Sequence, residues 1–151
     1  MTPAVRLEQH SPIPLAVVRR RVNQRDLPKV VPEACGFVWT ALKSQGITGA
    51  GRHIAVYLDG AINVEVGVEM SAPYTGDDRL CASTTPAGRV ATATHLGPYG
   101  ALGSAHDAIH KWCRDQGHEL AGPSWELYGH WQDDWNQHPE RIRTDVYYLL
   151  K

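Results

Sequence analysis

In Ser124-Trp125-Glu126-Leu127-Tyr128 one carboxylate alternates with large apolar and aromatic residues, a period-two pattern that reads as a strand. On such a strand Ser124, Glu126, Tyr128 and His130 share one face, and Trp125, Leu127 and Gly129 share the other. A carboxylate among aromatic rings suits an organic cation. The charge pairs with the acid, and each neighbouring ring adds cation–π attraction of about 0.5–2 kcal/mol. A strand glutamate can instead be merely solvated, but we expect a pocket here. Glu126 and Tyr128 are its expected centre, and Trp39, Tyr57, Trp112 and Tyr147 its expected walls. Trp125 and Leu127 are expected to pack beneath a helix.

Other chemistry is thinly represented. His106, His110 and Cys113 recur at i, i+4 and i+7 along one side of a helix, a spacing that metal ligands can adopt. They flank the inward stripe of Leu102 and Ile109 without a second ligand cluster, so edge-of-core packing is expected, with no metal and no cofactor. His118-Glu119 begins a zinc-protease pattern, but Gly122 stands where its second histidine is required. The sequence contains no GxSxG, no phosphate-binding glycine loop and no GxGxxG after a strand. Gly97-Pro98-Tyr99 opens a helix whose free amides could hold an anion, though a simple helix start accounts for it.

Periodicity supplies the elements that must position these residues. An edge strand is expected over residues 4–9 and a second strand over 15–22. A helix is expected from about Pro32, in its first turn, to Ser44, closed by Gln45-Gly46. Strands 53–58 and 62–70 follow, joined by the hairpin signal Asp59-Gly60. The order then recurs: strand 88–95, a helix from Gly97-Pro98 to about Gln116 ended by Gly117, and strands 124–131 and 144–150 around a polar loop. Leu102, Ala105, Ile109 and Trp112 form the inward stripe of the second helix, with Asp107, Lys111 and Asp115 outward.

The halves also overlay in detail: Val17 on Val90, Trp39 on Trp112, Tyr57 on Tyr128, Glu65 on Asp145. A duplicated βαββ unit accounts for this, since neither half alone could bury its sheet. The expected fold is therefore α+β, one domain over residues 1–151. Repeat one covers about 1–75 and repeat two about 86–151. Both helices should lie on one side of an antiparallel sheet, the other face should stay open, and a groove should separate the repeats.

Composition narrows the partners. With 151 residues, 42% hydrophobic and 21% charged, the chain fits one domain with a true core. Five Trp and six Tyr against a single Phe favour aromatic rings with a polar handle, which suit half-wet pocket walls. A net charge of −1 leaves no basic footprint, and Arg19-Arg20-Arg21 would alternate faces of a strand, so no direct nucleic-acid binding is expected. Cys35, Cys81 and Cys113 are odd in number and lack a CxxC pair. No apolar run approaches the roughly 18 residues of a membrane span, and no secretory signal is evident. Reduced thiols, no disulfide, no membrane and a cytoplasmic location are expected.

Three segments together, THLGPYGALGSAHDAIHKWC (94–113), GHELAGPSWELYGHW (117–131) and TDVYYLL (144–150), resemble the gyrase-inhibitor-like (GyrI-like) effector-binding domains. These are also known as the ligand-binding halves of multidrug-responsive transcription regulators. LPKVVPEACGFVWTAL (27–42) matches more loosely. The resemblance implies a duplicated βαββ fold whose central groove takes lipophilic, often cationic, aromatic molecules. The family's acidic pocket residue carries over to Glu126 and its aromatic partner to Tyr128, with Trp39 and Tyr147 matched less closely. Leu149 stands where many members have proline. The chain has no room for the helix-turn-helix module of the regulators, so it looks like a stand-alone member.

Three functions follow from the resemblance. The first is sequestration or sensing of a cationic aromatic ligand. The second is hydrolysis of cyclopropane-bearing electrophiles, with Glu126 activating water and Tyr128 donating to the developing oxyanion. The third is a gyrase-inhibitor-type protein interaction with a topoisomerase, for which Gln132-Asp133-Asp134-Trp135 is the candidate patch.

Overall fold

The structure, a computed structural model, describes residues 4–59, 63–77 and 79–151. The alternating segments form strands β1 (Val5–His10), β2 (Pro14–Arg21), β3 (Ala50–Tyr57), β4 (Asn63–Met70), β5 (Cys81–Thr84), β6 (Gly88–Leu96), β7 (Leu120–Tyr128) and β8 (Arg143–Leu150). They pair antiparallel in one sheet, in the order β1-β6-β8-β7-β3-β4-β2-β5. Helices α1 (Leu27–Ser44) and α2 (Gly103–Gln116) complete the α+β fold. Neither is long and apolar enough to cross a membrane.

The strand order is a palindrome. The half β1-β6-β8-β7 meets the half β5-β2-β4-β3 at the β7–β3 seam, so a pseudo-twofold axis runs through that seam. The edges are exchanged: β1 precedes β2 but pairs with β6, whereas β5 precedes β6 but pairs with β2. Each half thus lends the other its outermost strand.

Register fixes which side chains share a face. Ala55, Glu126, Val146 and Ala93 are direct partners across β3, β7, β8 and β6. Ala55 belongs to the core under α1 (Val31, Ala34, Val38, Leu42), and Ala93 and Val146 belong to the core under α2 (Leu102, Ala105, Ile109). Both helices therefore cover the same face. The expectation that Trp125 and Leu127 lie beneath a helix is corrected: they bury against Leu15, Val17, Ile54, Val56 and Val90 on the opposite face.

That opposite face is not open either, and chain lengths explain why. Only Ser11–Ile13 connects β1 to β2, which lie six strand positions apart. Six spacings in a flat sheet are about 29 Å, whereas four residue steps reach about 14 Å. The sheet must curl until its far strands approach. A second short connection, 85–87, crosses beside the first. There the Ile13 amide donates to Thr85 Oγ1 at 2.8 Å and the Thr85 amide to the Ile13 carbonyl at 3.0 Å. The curl closes over Trp125 and its neighbours.

The start of α1, the start of α2 at Gly103, the bounds of β7 and the presence of β5 depart from the sequence reading. Helix α1 starts at Leu27, with Pro28 in its first turn and Pro32 inside it. Pro28 satisfies the first-turn preference earlier, and Pro32 forfeits just one backbone bond one turn in. Strand β5, four residues long, falls between the two segments assigned to the repeats, where no strand is expected from the sequence. The Asp59-Gly60 hairpin signal falls partly on residues 60–62, outside the described ones; strand β4 follows from Asn63.

Candidate functional site

Because α1 and α2 each cover an outer part of the sheet, its central seam opens into a cavity of about 1050 Å³. Helix α1 contributes Leu27, Pro28, Val31, Pro32, Cys35, Gly36 and Trp39, and β3 contributes Ala50, Gly51, His53 and Tyr57. Tyr99, Leu102, Gly103 and His106 come from the start of α2 and the turn before it. Strand β7 brings Glu126 and Tyr128 and is followed by His130 and Trp131. The cavity lies over the β3–β7 seam, on the helix side of the sheet.

Glu126 is the one carboxylate among these lining residues, and neither Lys nor Arg joins it. It is 7% exposed. Its cross-strand partner is Ala55, so the carboxylate stands at the pseudo-twofold axis. Tyr57 and Tyr128 lie two residues further along each strand, on opposite sides of that pair. Both phenols donate to Glu126 Oε1, at 2.9 and 2.6 Å, and His106 Nε2 lies 2.6 Å from Oε2. Burial alone would push the Glu126 carboxyl up, but the bonds from His106, Tyr128 and Tyr57 outweigh it and hold it below the usual carboxylate range. Burial, and then the Glu126 charge, push the Tyr57 and Tyr128 phenols upward, so both remain donors.

Behind His106 runs a polar chain. Its Nδ1 lies 2.7 Å from Tyr148 Oη, and His110 Nε2 lies 3.2 Å from the same oxygen. Burial, followed by the Glu126 charge, pushes the Tyr148 phenol up to about 12. Burial pulls His110 down, helped by nearby His106 and Arg114. His53, on the cavity wall, is lowered by burial, against a smaller opposing effect of the Gly67 backbone. Burial raises the Cys35 thiol to about 11, so it is a protonated wall residue.

Of the residues singled out from sequence, the structure brings Glu126, Tyr128, Tyr57 and Trp39 to one cavity. It places Trp112 and Tyr147 elsewhere. Tyr147 follows Val146, so its side chain points to the opposite face, where it stacks on Trp125 with centroids 5.2 Å apart. Trp112 stacks on His118 at the rim of the α2 core, 5.1 Å away. His106 is corrected as well: instead of edging the core, it reaches Glu126. Its helical neighbours diverge, His110 toward Tyr148 and Cys113 into the core. Among the described residues no group of three or more His, Cys, Asp or Glu could hold a metal. Tyr99 and Trp131, which the sequence reading passed over, rim the cavity 44% and 50% exposed. In the Gln132–Trp135 loop, Trp135 turns inward and Asp134 pairs with Arg141 at 2.9 Å.

Residues 3–151 match the family described as the GyrI-like small molecule binding domain. A search of curated protein sequences finds no match. Among solved structures the crystal structure of the EcmrR C-terminal domain is similar, at 19% identity and a TM-score of 0.79, covering 100% of this chain and 99% of that one. SAV2435 bound to tetraphenylphosphonium is similar at 14% identity and a TM-score of 0.63, covering 98% and 94%. A hydrolase encoded by lin2189 from Listeria innocua is similar at 10% identity and a TM-score of 0.63, covering 99% and 93%. At these identities the likeness is one of fold.

Proposed function

The chain belongs to the GyrI-like small-molecule-binding family, and from that premise we propose that it sequesters or senses lipophilic, aromatic organic cations in the cytoplasm, with Glu126 as their counter-charge. One observation carries the reading: among the described residues that line the cavity, otherwise aromatic, apolar or imidazole-bearing, the nearly buried Glu126 is the one carboxylate, with neither Lys nor Arg beside it. A carboxylate stripped of water is costly unless paired. A cation seated in the groove replaces the lost hydration, while Trp39, Tyr99 and Trp131 offer ring faces to its aromatic body. A neutral ligand of the same shape gains the area burial but leaves the charge unmatched. No nucleic-acid partner is assigned, in keeping with a net charge of −1.

The test compares tetraphenylphosphonium with neutral triphenylphosphine oxide by calorimetric titration of wild type and Glu126→Gln. The substitution keeps the size and removes the charge. Affinity for the cation should fall by about 2–3 kcal/mol, the usual loss when one partner of a desolvated pair is removed, and that for the oxide should change far less. Equal losses for both, or none for the cation, would overturn the reading.

A second reading, hydrolysis of cyclopropane-bearing electrophiles, is favoured by the convergence of the His106–Glu126 pair and two phenols on one cavity, groups suited to proton transfer. Product analysis showing turnover by wild type, lost in Glu126→Gln and Tyr128→Phe, would put it ahead. No comparable observation favours a topoisomerase partner.

A further inference from the structure

We propose that the groove takes up its cation in exchange for a proton on His106, with Tyr148 linking that proton to the half-buried imidazole of His110 on α2. The inference rests on the reading of Glu126 as counter-charge and adds what sets the charge of the empty groove. Three contacts carry it: Glu126 Oε2 to His106 Nε2 at 2.6 Å, His106 Nδ1 to Tyr148 Oη at 2.7 Å, and Tyr148 Oη to His110 Nε2 at 3.2 Å. They form one unbroken path from the buried carboxylate to a partly exposed imidazole.

The path has two complete proton arrangements. With His106 neutral, its Nε2–H donates to Glu126, its Nδ1 accepts the Tyr148 hydroxyl, and Tyr148 Oη accepts from His110 Nε2–H. The Glu126–His106 unit then carries one negative charge. With His106 protonated, both ring nitrogens donate: Nε2–H to Glu126 and Nδ1–H to Tyr148 Oη. Tyr148 turns its hydroxyl toward His110 Nε2, and His110 carries its own hydrogen on Nδ1. The unit is now a neutral ion pair, and an arriving cation finds no net charge to match. Tyr148 keeps one proton in both arrangements, handing one on as it receives another.

The other titratable groups around His106 do not cancel this exchange. Strands β3 and β7 present the Tyr57 and Tyr128 phenols, which donate to Oε1 in either state. On α2, Asp107 and Arg114 act on His110 in opposite directions, and Cys113 is buried in the core. Tyr99 stands edge-on to Tyr128 at 5.7 Å, and among the described titratable residues Cys35 of α1 and the imidazoles of His53 and His130 lie across the cavity. Among the described residues no second carboxylate lines the cavity to take over the role of Glu126.

Tetraphenylphosphonium is the probe of choice, because it carries no proton and any pH dependence belongs to the protein. Calorimetric titration of wild type from about pH 5 to 8.5 spans the interval in which imidazoles change charge. Affinity should rise with pH, by at most about tenfold per unit for one linked proton. Buffers of different ionisation enthalpy should report up to about one proton released at the acid end. His106→Gln keeps an N–H for Glu126 but cannot titrate, and should bind with a flat pH profile and no proton release.

The failures separate. Cation affinity that falls in Glu126→Gln but is flat with pH in wild type, without proton release, overturns the exchange and leaves the counter-charge reading standing. Cation affinity that does not fall in Glu126→Gln, or no binding at any pH, overturns that reading and the exchange with it. Cation affinity that still rises with pH, with proton release, in His106→Gln overturns the assignment of the proton to His106.

Discussion

Three donors meet the Glu126 carboxylate, and they decide its ionisation. Burial at 7% exposure would favour the neutral acid. Two phenols on one oxygen and an imidazole on the other reverse the balance, so the carboxyl stays below its usual range. The consequence for stability has a definite sign. A carboxyl depressed in the folded protein contributes stability that is fully present above the unfolded value, about 4.3, and is lost as pH falls through the lowered folded value. Glu126→Gln has no such titration. Thermal unfolding of wild type should therefore lose stability between about pH 5 and 3 more steeply than the variant does. Parallel acid limbs would show that the three bonds do not hold the carboxylate ionised in solution.

At the scale of the elements, the curl that shapes both faces depends on close passage of β2 against β4. Gly67 lies opposite Val17 and Ile54, and a Cβ added there would sit 1.8 Å from the Ala16 carbonyl oxygen and 2.8 Å from Val17 Cα. Backbone cannot yield as a flexible side chain does. Gly67→Ala should cost about 3 kcal/mol or more, read as a lower urea midpoint with the slope unchanged. A loss under about 1 kcal/mol would mean that the strands separate easily there. The same curl marks where sequence stopped being informative. Alternation identified β2, β3, β6, β7 and β8, and Gly117, at φ 75°, ended α2 where expected. Parity also grouped Glu126 with Tyr128. It could not say which face a helix covers, because a curled sheet buries both, and so Tyr147 was expected in the groove and Trp125 under a helix. Trp39 and Trp112 overlay in the sequence repeat, but of the two Trp39 lines the cavity while Trp112 stacks on His118. His106 was noticed for its spacing with His110, yet its partner lies twenty residues away on another element, a distance no helical period reveals.

Across the whole molecule the exchanged edge strands make two repeats into one cooperative body. Strand β1 completes the second half and β5 the first. The core inside the curl mixes Leu15, Val17, Ile54 and Val56 of one half with Val90, Trp125 and Leu127 of the other. Unfolding either half would strip the other of an edge strand and of half that core, so partial unfolding should be more costly than losing everything together. The cavity belongs to the same unit, for its floor is the β3–β7 seam and its walls come from both halves of the sheet. Fluorine NMR of fluorotryptophan-labelled protein can follow Trp39 in the first half separately from Trp112, Trp125, Trp131 and Trp135 in the second. In urea all five should report one midpoint. Tetraphenylphosphonium at about one hundred times its Kd should move that shared midpoint upward, by the equivalent of about 2.7 kcal/mol. An earlier transition at Trp39, or a ligand shift confined to one half, would mean that the repeats fold as separate units joined at the seam.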